Sequence, residues 1–416
     1  MPICCKNRGQ ELREGKKMKR FDILSQLIKC LSRILDEIEG HTSSHAQGVA
    51  NSSISFADEF GFTLKTQRSL YYAALLHDIG ETTLPHSILY KNGPLLPAER
   101  KKIESHSVVG YKIVKNIPSM TEVAGLIRHH HESWDGTGYP DQLMMGEFTR
   151  AKQILAICDL NDTLSRERPY RPKRTNEEIE NILNESKGTR FQPDMVEKFI
   201  KFKNNTNIKK NSLKKINEIK DSGQELSDFE SQAYLLAISV VFSNLIGEKI
   251  PFLATHPSKV ALLSVKLGEA IGMNKNELFE MKIAAFLGDI GILAQDEKIY
   301  MKKDKLSPED IETINNHTLI GERATSEITS LPNVSKIIRN YHESWDGSGY
   351  PDGIKGSKIP LASRILRVAD TYVALQHDRP YRKGKQRTEI TESINTYLKN
   401  IADPSLVNTL MEIMKN

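Results

Sequence analysis

His131-Glu132-Ser133-Trp134-Asp135-Gly136-Thr137-Gly138-Tyr139-Pro140-Asp141 returns, almost letter for letter, as His342-Glu343-Ser344-Trp345-Asp346-Gly347-Ser348-Gly349-Tyr350-Pro351-Asp352. The two copies hold both tryptophans of the 416-residue chain and are offset by 211 positions (342 − 131 = 211). The same offset carries His45 onto His256, Asp78 onto Asp289, His106 onto His317 and Asp159 onto Asp370. It also carries Arg168-Pro169-Tyr170-Arg171 onto Arg379-Pro380-Tyr381-Arg382. A period this long is a duplicated domain, since solenoid units run only about 20–50 residues. The expected division is a disordered extension over 1–20, a first unit over 21–203, a linker over 204–226 and a second unit over 227–416. The linker carries Lys209-Lys210, Lys214-Lys215 and Ser222-Gly223, with too few apolar residues to bury a core. It reads as a solvated spacer rather than as a tether for a nucleic-acid polymer.

The periodicity is helical nearly throughout. Leu24, Leu27, Ile28, Leu31, Ile34 and Leu35 fall on one stripe at i, i+3, i+4, i+7 spacing. Ser69 to Leu76 is an apolar run that leads into His77-Asp78, and Thr175 to Leu183 and Glu389 to Ile401 repeat the helical pattern. Strand-like alternation is scarce. The expected fold class is all-α, with two tandem helical bundles.

Composition agrees with a globular protein, at 38% hydrophobic and 27% charged residues. A formal charge of +5 suits an anionic ligand without identifying one. The longest apolar stretch, Ala233 to Gly247 between Glu230 and Glu248, falls short of the roughly 20 residues a bilayer span needs and reads as a core helix. Met1-Pro2-Ile3-Cys4-Cys5 has no apolar segment of a signal peptide. Cys4, Cys5, Cys30 and Cys158 show neither zinc nor disulfide spacing. The expected setting is the cytoplasm, with no membrane association.

The first unit offers His45, His77-Asp78, His106, His130-His131 and Asp159, mostly at the ends of apolar helical segments. So many imidazoles and carboxylates facing a bundle core need partners, because an unpaired buried charge is very costly. Metal ions supply such partners, and mixed His/Asp ligation suits iron, manganese or zinc. A metal pair about 3.5–4 Å apart can activate a shared water and clamp a phosphoryl oxygen.

The ordered set resembles the HD-GYP subfamily of HD-domain metal-dependent phosphohydrolases, in tandem. The motifs stand as Thr42-Ser43-Ser44-His45, His77-Asp78-Ile79-Gly80, His106 with Gly110, His130-His131-Glu132, Asp135-Gly136-Thr137-Gly138-Tyr139-Pro140 and Asp159. Ser87 to Leu95 and Arg168 to Arg171 also fit. The resemblance covers both units. It implies two HD-domain helical bundles and hydrolysis of cyclic di-GMP to linear pGpG, and on to GMP, at a centre of two or three divalent metals, iron or manganese foremost. It implies His45, His77, Asp78, His106, His130, His131 and Asp159 as ligands, Asp78 as the bridge, and His77-Asp78 as the catalytic pair. His41 stands where some members place a third-metal glutamate, and is either a further ligand or a solvent-exposed helix-start residue. Gly138, Tyr139 and Pro140 shape the substrate pocket in the family, and the loop is a candidate contact for protein partners. Arg168 and Arg171 either meet phosphate or cap a helix.

Two departures stand out. The family's lysine after His-Asp-Ile-Gly is Glu81 here, a carboxylate where a cation would stabilise developing charge. The second unit has Gly288 for His77, Tyr341 for His130 and Ile292 for Glu81. It therefore reads as a degenerate copy kept for packing, for pairing with the first unit or within a homodimer, or for ligand sensing. A phosphodiesterase stands against an attenuated cyclic-dinucleotide receptor and against a phosphohydrolase for another cyclic dinucleotide or a nucleotide. If Glu81 attenuates the enzyme, Glu81→Lys raises kcat for cyclic di-GMP by about tenfold or more in a steady-state assay; an unchanged rate shows the carboxylate to be harmless.

Overall fold

A computed structural model describes residues 20–38, 45–167, 172–205, 227–380 and 382–415. His41 with Thr42 to Ser44, Arg168 to Arg171, most of the N-terminal extension and most of the linker lie outside the described residues.

The first unit is a run of helices: α1 Arg20–Ile38, α2 His45–Ala57, α3 Leu64–Leu76, α4 His86–Leu89, α5 Pro97–Glu104, α6 His106–Lys115, α7 Thr121–Arg128, α8 Arg150–Ser165, α9 Asn176–Glu185 and α10 Pro193–Asn204. The second repeats it: α11 Asp228–Lys249, α12 His256–Ala270, α13 Lys275–Leu287, α14 Glu297–Tyr300, α15 Pro308–Asn315, α16 His317–Thr325, α17 Val334–Asn340, α18 Leu361–Gln376, α19 Arg387–Leu398 and α20 Pro404–Lys415. No strand occurs among the described residues. Both bounds of α3, α4, α5, α8 and α10 recur 211 positions on, as in α3 against α13 (275 − 64 = 211; 287 − 76 = 211). The duplication is thus one of structure, and the all-α expectation holds.

Local signals set these boundaries. Thr175 caps α9 by accepting from the Glu178 amide while Glu178 reaches back to the Thr175 amide, and Asn274 with Glu277 does the same for α13. The α1 stripe is wholly buried, with Leu24, Leu27, Ile28, Leu31, Ile34 and Leu35 all at 2% exposure or less. The long apolar α11 buries Tyr234, Leu235, Ile238, Phe242, Leu245 and Ile246 along one face, which makes it a core helix.

Glycine matters at one crossing. After α3, a 3₁₀ turn over Ile79–Thr83 passes directly over the start of α6. A Cβ on Gly80 would stand 2.0 Å from the His106 carbonyl oxygen, and one on Gly291 would stand 2.1 Å from that of His317. Only glycine lets the two backbones approach so closely.

The units meet through α1 and α11. α1 packs on α16 and on the Ile290–Ala294 turn of the second unit, while α11 packs on α1 and on the Ile79–Thr83 turn of the first. Arg33 bonds Glu327 at 3.1 Å, Arg323 bonds Glu37 at 2.8 Å, and the Tyr234 hydroxyl donates to the Pro118 carbonyl at 2.9 Å. The ion pairs are exposed and contribute little; the buried stripe holds the contact. Leu31→Ala should cost about 2–5 kcal/mol in denaturant unfolding, and Arg33→Ala less than about 1 kcal/mol.

Candidate metal centre

Three helix ends and two further helices converge in the first unit. α3 delivers His77 and Asp78 at its C-terminus, α6 begins at His106, α7 runs out into His130 and His131, and α2 and α8 carry His45 and Asp159. His45, His77, His106, His130 and Asp159 are buried, and Asp78 and His131 are half-buried. Every predicted ligand among the described residues is therefore in one cluster.

The cluster has two parts that share Asp78. Ligating atoms of Asp78, His106, His130 and His131 lie within 4.8 Å of one another, and so do those of His45, His77 and Asp78. Asp78 Oδ2 faces His77 Nε2 at 3.1 Å, while Oδ1 faces His106 Nε2 at 3.5 Å and His130 Nε2 at 3.6 Å. Asp159 Oδ1 lies 3.3 Å from His45 Nε2 and 3.6 Å from His77 Nε2.

Hydrogen bonding on the far side of the rings fixes their tautomers. Nδ1 of His77, His106 and His130 lies 2.9, 2.7 and 2.6 Å from the carbonyls of Ala74, Ile103 and Ile127. A carbonyl only accepts, so each Nδ1 carries the hydrogen and each Nε2 lone pair points inward. His106 Nε2 and His130 Nε2 then face each other at 3.2 Å, two lone pairs without a shared proton. His77 Nε2 is buried without a hydrogen-bond partner among the described residues. A divalent cation satisfies these atoms, and the donor set fits one.

The electrostatics are split: burial would lower His77, but Asp78 and Asp159 raise it well above the usual imidazole range, whereas two other rings move the opposite way. Burial pushes His106 down to about 4, and burial with the neighbouring His130 and His106 rings holds His131 well below the usual imidazole range. Burial alone would raise Asp159, but the neighbouring His45 and His77 rings bring its carboxyl well below the usual range.

Asp162 was missed by sequence reasoning. It lies 2.6 Å from His45 Nδ1, and Arg166 holds it through both guanidinium arms. A carboxylate behind a ligating histidine fixes ring orientation and raises basicity. The available signal was the Asp159-x-x-Asp162 spacing, which puts both carboxylates on one face of α8.

The loop after His131 is tied to the cluster by Glu132, which is fully buried. Its carboxylate accepts from the Asp141 amide at 2.7 Å and the Leu143 amide at 3.0 Å. Asp141 in turn accepts from Arg128 at 2.6 Å on both arms and lies 2.8 Å from His129, which stands outside the cluster. The Tyr139 ring lies against His131, with centroids 4.9 Å apart and the planes tilted by 34°. The Tyr139–Pro140 and Tyr350–Pro351 peptides are both cis. A Cβ on Gly138 would come 2.3 Å from the Ser133 amide nitrogen, so loop packing alone requires that glycine.

The HD domain profile matches residues 29–195 and again 240–406. The chain belongs to the HD-domain family. It is 24% identical over 388 residues to 3'3'-cGAMP-specific phosphodiesterase 1 of Vibrio cholerae, covering 88% of this chain and 86% of that one. It is 35% identical over 162 residues to a cyclic di-GMP phosphodiesterase of Thermotoga maritima, covering 38% of this chain and 44% of that relative. The crystal structure of a cyclic GMP-AMP-specific phosphodiesterase from V. cholerae superposes with a TM-score of 0.64 at 19% identity, covering 94% and 97% of the two chains; that likeness is one of fold. The tandem HD-GYP resemblance read from the sequence stands.

The second HD domain keeps part of the cluster in altered form. Asp289, His317 and His342 still gather within 4.8 Å. The Tyr341 hydroxyl donates to Asp289 Oδ1 at 2.6 Å and lies 3.0 Å from His317 Nε2. A Cβ on Gly288 would meet Tyr341 Cζ at 3.4 Å, so the tyrosine ring lies beside the space a side chain at 288 would take. His256 Nε2 bonds Asp370 at 2.7 Å, but Val373 stands where Asp162 would be (373 − 162 = 211), and His256 Nδ1 has no partner among the described residues. Arg382, the counterpart of Arg171, donates to the Ala374 and Leu375 carbonyls and caps the end of α18.

If Asp162 orients His45, Asp162→Ala should weaken metal binding by about 10–100-fold in chelator competition, with fold retained by circular dichroism.

Proposed function

We propose that the first HD domain is a metal-dependent phosphodiesterase that opens a cyclic dinucleotide. The observation that carries this reading is Asp78, whose two carboxylate oxygens face two separate imidazole groups. His45, His77 and Asp159 would hold one metal, His106, His130 and His131 a second, with Asp78 between them and iron or manganese the metals. Bound there, a metal pair supplies an activated water and neutralises charge on a phosphoryl oxygen.

The chain's own groups do the rest. The carbonyl bonds of His77, His106 and His130 keep the lone pairs aimed inward before a metal arrives, which reduces the ordering cost of binding. Burial pushes the Tyr139 phenol up, so its hydroxyl stays a donor at neutral pH. With Gly138 and Pro140 it would form the wall against which the substrate rests. Arg168 and Arg171 would meet the second phosphate.

Cyclic di-GMP, giving pGpG and then GMP, is the substrate that the sequence suggests. 3'3'-cGAMP is the second reading, because a relative matching over most of both chains is named for it. Protein purified without oxygen should contain iron or manganese and hydrolyse one of the two dinucleotides. Asp78→Ala should lose the metal and at least about a hundredfold in turnover. Intact dinucleotides after incubation with protein loaded in turn with iron, manganese and zinc would leave a receptor as the surviving reading.

A further inference from the structure

The second HD domain places a fixed cation beside its altered cluster. Arg367 on α18 stands at the position of Ala156 in the first domain (367 − 156 = 211). Its NH1 lies 3.2 Å from His342 Nδ1, and its NH2 lies 3.5 Å from the Ser344 hydroxyl. A guanidinium has hydrogens to give and no lone pair. His342 Nδ1 must therefore accept, which leaves the hydrogen on Nε2 and removes that nitrogen as a metal donor. The Tyr341 hydroxyl meanwhile lies between Asp289 and His317. Asp289 and His342 are thus already engaged by protein groups, while His317, whose Nδ1 hydrogen goes to the Ile314 carbonyl, faces the hydroxyl oxygen with its Nε2 lone pair.

The guanidinium itself is under-used. Of its five N–H groups, Nε is buried without a partner among the described residues, and the bond to Ser344 is at the outer limit of length. A guanidinium fork matches phosphate oxygens two at a time. His342, which Arg367 touches, stacks on Tyr350 at 4.9 Å with the rings 23° apart. Tyr350 and Pro351 also line an open cavity of about 630 Å³ whose other walls come from α15 and the start of α16, so Arg367 and His342 stand behind Tyr350 and not on the cavity's lining. That volume lies within the usual range for small-ligand sites, about 300–1,000 Å³.

We infer that the second HD domain is a metal-free binding site in which Arg367 holds a phosphate of a cyclic dinucleotide without hydrolysing it. Its ligand class rests on the reading of the first domain. The cation that neutralises the phosphate there belongs to the protein and needs no metal.

The test uses the full chain stripped with EDTA and titrated by calorimetry with cyclic di-GMP and with 3'3'-cGAMP. One of them should bind at about one equivalent, unchanged in Asp78→Ala, weakened at least about tenfold in Arg367→Met and weakened to a lesser degree in Arg367→Lys, which keeps the charge but not the fork. Equal unfolding midpoints establish that the variants are folded; if Arg367→Met unfolds, Arg367→Gln takes its place. Absence of binding without metal, or binding lost in Asp78→Ala and kept in Arg367→Met, overturns the inference. So does stoichiometric metal in Asp78→Ala that disappears on adding Asp289→Asn, since the domain would then be a mononuclear metal site. Metal-dependent hydrolysis by the wild type is a separate readout, so its failure and the failure of metal-free binding are told apart.

Discussion

Everything in the first HD domain is arranged around one carboxylate. Asp78 sits at the end of α3 with imidazole nitrogens on both sides, and no other described side chain faces both groups of histidines. Burying an anion among neutral rings is costly unless a cation comes with it. Buried histidines can supply positive charge only by taking protons, yet the backbone carbonyls already claim the Nδ1 hydrogens and burial lowers His106 and His131. His77 moves the other way, raised by Asp78 and Asp159, so a cation beside Asp78, whether a proton on His77 or a metal ion, is what the arrangement of the bundle favours.

The helix-end geometry explains how a bundle achieves this. A side chain at the last turn of α3 or the first residue of α6 points into the core while its backbone remains free to turn away. The Ile79–Thr83 turn then leaves Asp78 over the start of α6, through a contact only Gly80 permits. That same turn touches α11 of the second domain, and the equivalent turn touches α1 of the first. Each cluster is thus backed by the other domain's N-terminal helix, and the large buried stripe of α1 is shared between the first cluster and the interface. A single apolar helix so constrains two places at once.

The duplication, the helical class and the gathering of the histidines and aspartates were legible because each leaves a local mark: a repeated segment, a 3.6-residue stripe, and histidines at the ends of apolar runs. Asp162 left only its spacing from Asp159 as a mark, because its role depends on His45, 117 residues away in sequence. Gly138 was read as part of a pocket, whereas backbone packing against Ser133 is sufficient reason for it. The reverse held for Glu132, which the motif includes without a role and which organises the loop amides from a buried position. Gly288 and Tyr341 read from sequence as two independent losses; in space they are neighbours.

That adjacency changes what the second domain means. An orphaned imidazole and a void are the marks of a lost metal centre, and traces of both remain here, at His256 Nδ1 and in a small cavity between His256, Gly288, Asp289, Tyr341 and Asp370. Here the loss of one side chain at Gly288 is accompanied by a larger ring at Tyr341 close beside it, and the lost coordination of Asp289 is met by the tyrosine hydroxyl. Val373 removes the carboxylate that would orient His256, and Arg367 adds a cation next to His342. A cation fixed in that position works against metal ligation by repulsion and by holding the His342 tautomer. Val373 and Arg367 both shift the local charge toward positive, and Tyr341 stands beside the space at Gly288, so the changes at these four positions act on one another and not only one by one.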